Sequence, residues 1–271
     1  MFRDTQLGAG GGIKKNGGRM ATRVTSRLAT RRPGNRILAA LSERQYRRVA
    51  VDVEQISLVA GQVIYEPGHA ISHAYFPEDS VISHVCCPAI GSALEVAMVG
   101  REGLAGHAPL LGVPTTVTRV LVQIPGRACR VSESVLRQLV AESEPFRLAV
   151  TRFSQALFDQ VALCAACNVG HTPLERCARW MLMIHDRVEG RQFPVTQEFL
   201  AYMLGTSRQT VSVVARQLQA KRLIEYSRGR VALVNRRGLE RLACPCYGSI
   251  ADRLALVLGV RRGAPLARGL T

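Results

Sequence analysis

Residues 195–234 read "VTQEFLAYMLGTSRQTVSVVARQLQAKRLIEYSRGRVALV", and this stretch decides the fold of the C-terminal part. From Thr196 to Leu204 apolar residues recur at helical spacing, burying Phe199, Leu200, Met203 and Leu204. Gly205 interrupts the pattern, and a second helix follows at once with Val211, Val214 and Leu218 as its buried stripe. Thr206 and Gln209 have the spacing of a capping box, so this helix is expected to open on Thr206. Its outer face keeps Arg208, Gln209, Ser212, Val213 and Arg216. Two helices joined by a tight glycine turn make a helix-turn-helix, whose second helix enters a DNA major groove.

The exposed residue types suit that task. Arginine can bond a guanine edge twice, and glutamine can do the same for adenine. The helix N-terminus, with Thr206, Ser207 and Thr210, suits phosphate. The next residues read as a hairpin with Gly229 in its turn and Arg228 and Arg230 at its tip, a wing placed for backbone phosphates. The expected DNA contacts are therefore Thr206, Ser207, Arg208, Gln209, Thr210, Ser212, Arg216, Arg228 and Arg230.

Charge agrees. The chain of 271 residues carries a formal net charge of +16, concentrated at 1–36 (nine Lys/Arg, one acid) and 196–243 (nine Lys/Arg, three acids). A basic module beside a near-neutral one points to nucleic acid rather than a membrane surface, and the helix-turn-helix makes double-stranded DNA the expected partner. No apolar run approaches the length of a membrane span, and the N-terminus lacks a signal-peptide core, so a cytoplasmic protein is expected. We find no nucleophile–base arrangement, phosphate loop or paired acids that would make it an enzyme.

Upstream, residues 1–36 read as a flexible basic arm, and 37–145 as a β-rich domain of short strands ending in a helix that opens at Ser132. One long helix spans 146–170. Residues 171–245 form the winged helix-turn-helix domain, opening with a capping box at Thr172 and Glu175, and 246–271 are a tail. On the long helix Val150, Phe153, Leu157, Val161 and Cys164 follow a heptad and are expected to form a dimer seam.

The eight cysteines are dispersed and do not suggest a disulfide framework. Cys164, Cys167 and His171 are the metal-ligand alternative on the seam. The preferred reading is no metal there: the thiols fill a tight helix contact, and Gly170 ends the helix before His171 aligns. Cys244 and Cys246 receive the same reading, with metal or thiol chemistry as the alternative.

With these motifs in place, the chain resembles the Crp/Fnr (cyclic-AMP receptor protein/Fnr) family of bacterial transcription regulators. The strongest likeness is 195–233, where "SRQTV" stands at the start of the family's recognition helix. A looser one runs from "GQVIYEPGHAISHAYFPEDSVIS" through "VGREGLAG" to "RVLVQIPGRACRVS". The resemblance implies an α+β chain: an N-terminal cyclic-nucleotide-binding-like β-roll, a long dimerisation helix and a C-terminal winged helix-turn-helix. It also implies a homodimer on a palindromic operator, with RNA polymerase as a further partner. Ser207, Arg208 and Gln209 fall on the family's DNA-contact positions. Gln209 replaces its acidic base-reader, and Val213 replaces a later base-contacting arginine. In the nucleotide pocket, Gly106-His107-Ala108 stands where Gly-Glu-Leu belongs, and "TTVTRVL" lacks the Arg-Ser pair, with Arg119 out of register. A cyclic phosphate lacks its charge partner, so cyclic AMP is not expected. Residues 1–85 hold no cysteine, so an Fnr-type iron–sulfur cluster is not expected either. His69, His73, His84 and His107, the conceivable haem ligands, are placed at turns and surfaces of the β-roll. The effector is left open.

Overall fold

The computed structural model describes residues 34–88 and 93–259. Most of the basic arm, residues 1–33, and the end of the tail, 260–271, lie outside the described residues. Residues 34–36 belong to the fold rather than to an arm. Asn35 is buried, and its amide donates to the Pro77 and Gly103 carbonyls.

A 3-10 turn (Leu38–Ala40) precedes α1 (Glu43–Val49), because Ser42 and Gln45 form a capping box that restarts the chain. Seven antiparallel strands follow: β1 (Glu54–Leu58), β2 (Val63–Tyr65), β3 (His73–Pro77), β4 (Val81–Cys86), β5 (Leu94–Val99), β6 (Arg119–Ile124) and β7 (Gly126–Ser132). They form two sheets, β1-β7-β3 and β2-β6-β4-β5, closed over Ile56, Leu58, Tyr65, Ile82, Val120 and Val122. Alternating apolar residues of both sheets meet in this interior, as a β-roll requires. Helix α2 (Glu133–Glu142) opens on Ser132 and buries Leu136 and Leu139.

Helix α3 (Glu144–Gly170) begins two residues before the expected start, with Ser143 as its cap. The heptad residues Val150, Phe153 and Cys164 are buried inside the protomer, so they are not an available dimer seam. Phe146, Val150 and Phe153 join the core beneath β3 and β7, and Ala156 and Cys164 join the core of the C-terminal domain. Gly103 makes room for this packing, since a Cβ there would stand 2.0 Å from the Phe153 ring. Gln160, the polar interruption in the heptad, donates its amide to the Met98 carbonyl of β5 at 3.1 Å. Leu157 and Val161 are half-buried at the edge of this face. The heptad is thus a core stripe. The opposite face of α3 leaves Leu148, Phe158 and Val169 exposed, with Phe158 at 68% and Val169 at 92%.

The C-terminal domain contains α4 (Pro173–His185), β8 (Gln192–Pro194), α5 (Gln197–Leu204), α6 (Arg208–Ala220), β9 (Ile224–Ser227), β10 (Arg230–Leu233) and α7 (Arg236–Leu242). Strands β8-β10-β9 make a three-stranded wing. Residues 246–258 are not a tail but helix α8 (Cys246–Leu258), which lies along α3 and is tied to it by an Arg253–Asp159 ion pair. Ile250 and Leu254 supply its apolar face.

The roll and the DNA-binding domain are joined by charge. Arg187, just beyond α4, meets Glu102 of the "VGREGLAG" turn at 2.7 Å, and both side chains are fully buried. Arg187 also donates to the Met183 carbonyl, while Glu102 accepts from the Gly100 N–H. Removing one member of such a pair strands the other charge in the interior. Glu102→Gln is expected to lower unfolding free energy by about 3–5 kcal/mol in urea titration; a loss below ~1 kcal/mol would contradict the role given to the pair.

Glu95 on β5 is also buried, and its carboxylate accepts from Ser83 Oγ at 2.6 Å. Burial pushes its pKa up to about 7, against the opposing Ser83 hydrogen bond and the Arg179 and Arg187 charges. A native pKa above the unfolded one means that the folded state binds the proton more tightly. The stabilisation is complete below the ordinary carboxylate range and is lost as pH rises through about 7. We expect the unfolding free energy of the parent to fall by about 3 kcal/mol between pH 4.5 and 8 relative to Glu95→Gln. Parallel pH profiles would refute it.

Candidate nucleic-acid interface and a buried thiol cluster

Helix α5 ends on Gly205, whose φ of +57° is the left-handed conformation glycine adopts most cheaply. The turn is also crowded: a Cβ on Gly205 would lie 3.0 Å from Leu94 Cδ1 and 3.2 Å from the Ala93 carbonyl at the start of β5. The cap of α6 differs from the expected one. Ser207, not Thr206, is the N-cap, accepting the Thr210 N–H at 3.1 Å, and Gln209 lies inside the helix. The Thr206 N–H is spent closing α5, donating to the Ala201 carbonyl, so the helix starts one residue later.

This register sets what α6 presents. Val211, Val214, Ala215 and Leu218 are buried, while Arg208, Gln209 and Arg216 are exposed. Ser212 is half-buried and donates to Gln197 Oε1 at 2.7 Å, so it braces α6 against α5. Ser207 and Thr210 share a hydroxyl contact of 3.0 Å. No acid sits in the first turn of α6, leaving the positive end of the helix dipole unopposed by its own side chains. Among the described residues none of Arg208, Arg216, Arg228 and Arg230 forms an ion pair.

The wing is a two-residue hairpin. Arg230 pairs with Ser227, and Arg228 and Gly229 at the turn both take positive φ, +50° and +71°. That is the mirror-image turn whose twist matches the flanking strands. It carries Arg228 to the tip of the wing, exposed beside Arg230. Tyr226 fastens the wing, donating its hydroxyl to the Val195 carbonyl and its N–H to Gln219. Between wing and helices lies a cleft of about 290 Å³ lined by Thr196, Gln197, Glu198, Arg208, Tyr226 and Arg228. The structure thus brings Arg208 and Arg228 together at this cleft, with Gln209 and Arg230 exposed on the same two elements. Strand β8, the wing's third strand, has too few residues to show a period in the sequence.

In the β-roll the supposed nucleotide-binding position is occupied by other chemistry. Arg119 is held by Glu66 at 2.9 Å. His84 is a strand residue, whereas His107 does lie in the connection between β5 and β6, just before a 3-10 turn (Ala108–Leu111). His84 lies on β4 against Thr118, and the His107 ring stands edge-on to Phe153, 6.2 Å between centroids. Burial pushes them down to about 3 and about 4, so both are neutral.

A second constellation is visible in the sequence only as fragments. Cys167, His171, Cys244 and Cys246 converge, with one ligand atom from each lying within 4.8 Å of all the others. Cys164 is not among them; its thiol accepts from Arg179 Nη1 at 3.3 Å. Gly170 does end α3, but His171 is the C-cap, held by its N–H to the Cys167 carbonyl, and it does align with the thiols. The four-residue Cys167/His171 spacing and the Cys-Pro-Cys of 244–246 are the available signals. Their meeting depends on α8 folding back along α3. The Cys167 thiol is pulled down to about 5, first by the hydrogen bond from Cys244 and then by the Arg179 charge. Cys244, its partner at 3.3 Å, is pushed up.

Helix, turn, recognition-type helix and basic wing define a winged-helix DNA-binding protein. Residues 175–242 match the Crp-like helix-turn-helix domain model. No curated protein matches the chain by sequence. Among solved structures it is similar to a Crp/Fnr-family regulator from Eubacterium rectale (13% identity, TM-score 0.59, 76% of this chain and 96% of that one). FixK2 from Bradyrhizobium japonicum is similar at 15% identity and TM-score 0.59, over 71% of this chain and 98% of that one. A Crp-family regulator from Thermus thermophilus follows at 20% identity and TM-score 0.57, over 69% of this chain and 95% of that one. Residues 175–242 are thus a Crp-like helix-turn-helix domain, and the described chain has the fold of the Crp/Fnr-family regulators it is similar to. No described helix is long and apolar enough to cross a membrane.

The new cap assignment is directly testable. Ser207→Ala should cost about 1 kcal/mol of stability and Thr206→Ala clearly less, measured by thermal unfolding; the reverse order would restore Thr206 as the cap.

Proposed function

We propose that the chain is a homodimeric, cytoplasmic regulator that reads a palindromic DNA operator through α6 and controls RNA polymerase there. The observation that carries this is the cap on Ser207. It turns Arg208 and Gln209 outward on the first turn of α6, beside a wing whose tip holds Arg228 and Arg230. In this reading Arg208 and Gln209 meet base edges, and Arg216, Arg228 and Arg230 meet phosphates with Ser207 and Thr210. Thr206 lies next to the backbone path, and Ser212 supports the reading helix through Gln197.

The dimer face we propose is the exposed stripe of α3, Leu148, Phe158, Ala162, Ala165 and Val169, in place of the buried heptad. These residues recur on one side of the helix, and the small alanines permit close approach. The β-roll senses a signal other than cyclic AMP. Arg119 is engaged by Glu66, and the neutral His107 cannot replace the ribose-binding acid.

Arg208→Ala should cost about 1–3 kcal/mol of discrimination between operator and scrambled DNA, read by competitive fluorescence anisotropy. An equal loss on both DNAs would rule out base reading by Arg208. Phe158→Glu should convert the dimer to monomer in analytical ultracentrifugation, whereas Val150→Ala should lower stability and leave the dimer intact. A dimer that survives Phe158→Glu would place the interface elsewhere.

A further inference from the structure

Cys167, His171, Cys244 and Cys246 come from two separate places in the chain and meet at one point. Cys167 lies in the last turn of α3 and His171 caps that helix. Cys244 lies in the link after α7, and Cys246 is the first residue of α8. The three sulfurs are buried together, apart from the main cores, and His171 is half-buried at their edge.

The distances select the chemistry. Cys167 Sγ and Cys244 Sγ are 3.3 Å apart, and Cys246 Sγ and His171 Nδ1 are 3.7 Å apart. A tetrahedral zinc ion with bonds of about 2.3 Å to sulfur and 2.0 Å to nitrogen has ligand–ligand edges of roughly 3.4–3.8 Å. The set fits one ion with little adjustment. A polynuclear iron–sulfur cluster needs thiolates spaced around several metal atoms, a wider ring than this. A disulfide between Cys167 and Cys244 would need the sulfurs at about 2.05 Å and would leave Cys246 and His171 without a task. Three thiolates and one imidazole are a soft donor set, which selects zinc over calcium or magnesium.

A second feature points the same way. Arg179 is buried, makes no ion pair among the described residues, and donates to two sulfurs, Cys164 Sγ at 3.3 Å and Met183 Sδ at 3.1 Å. Glu95, the acid that feels its charge, is pushed toward the neutral form by its own burial. A buried guanidinium without a full counter-charge is costly. Three thiolates, one neutral imidazole and a divalent ion carry a net charge of −1, which supplies it.

We propose that Cys167, His171, Cys244 and Cys246 form a closed structural zinc site that fastens both ends of the DNA-binding domain to the long helix. The chain enters that domain at His171 and leaves it at Cys244, so one ion closes the domain at its base. It also holds α8 against α3 and fixes the angle at which α6 departs from the helix that carries the proposed dimer face. The ion needs deprotonated thiols, so binding releases protons to solvent, with no change of oxidation state. The assignment does not rest on the DNA-binding reading, because it is tested on the protein alone.

The test is the metal content of the full-length protein purified under reducing conditions, by inductively coupled plasma mass spectrometry, followed by cobalt(II) replacement. One zinc per protomer is expected, and cobalt should give the visible bands of a tetrahedral thiolate site. His171→Ala and Cys246→Ser should lose most of the metal. His171→Cys, which keeps four soft ligands, should retain it, as should Cys87→Ser, an exposed thiol outside the cluster. Chelation should lower the melting temperature of the parent and not that of Cys246→Ser. A folded parent that holds no zinc and takes up no cobalt would overturn the proposal, as would metal content unchanged by Cys246→Ser. A Cys167–Cys244 disulfide in the fresh protein would overturn it as well.

Discussion

The buried pair of Glu102 and Arg187 is the constraint around which the two halves of the chain are arranged. One charge comes from a turn of the β-roll and the other from the end of α4. Neither can be solvated where it lies, so each domain requires the other in this position. The pair also explains the local chemistry around it. Arg101 donates to the Glu78 carbonyl and reaches Glu189, so the turn between β5 and the next segment is held from both sides. Through this pair the turn of the roll is tied to the end of α4, and α4 packs against α5 and α6.

Helix α3 gains a different meaning from the same packing. A helix between two domains must satisfy two cores on one face, and Val150, Phe153 and Cys164 do so. The opposite face is then the one free for a second copy. The thiol site lies at the far end of this helix, where the chain turns into the DNA-binding domain. The placement of α6 therefore rests on two fixed points, an ion pair toward the roll and a cluster of three thiols and an imidazole at the hinge.

Much of the helix-turn-helix and its wing is legible in the sequence because the signals are local. Gly205 between two apolar periods, the Thr172 cap with Glu175, and Gly229 between short strands each act within a few residues. Sequence and structure part where tertiary contacts compete with local ones. Thr206 has the spacing of a cap, but its N–H is taken by the Ala201 carbonyl. The heptad on α3 marks the apolar period correctly, but periodicity alone does not say whether a stripe faces its own domain or a partner. Helix α8 reads as a tail because the basic residues after Gly259 obscure a short apolar face. Without α8, Cys244 and Cys246 have no route to Cys167 and His171.

The central claim is that α6 reads sequence as one half of a symmetric pair. Hydroxyl-radical footprinting on DNA enriched from a random pool tests it most directly, using the full chain and a version lacking residues 1–33. Two equivalent protected segments related by a dyad, with half-sites about one helical turn apart and unchanged by the deletion, are the predicted result. Uniform protection that follows no sequence and disappears with the basic N-terminal residues would contradict it.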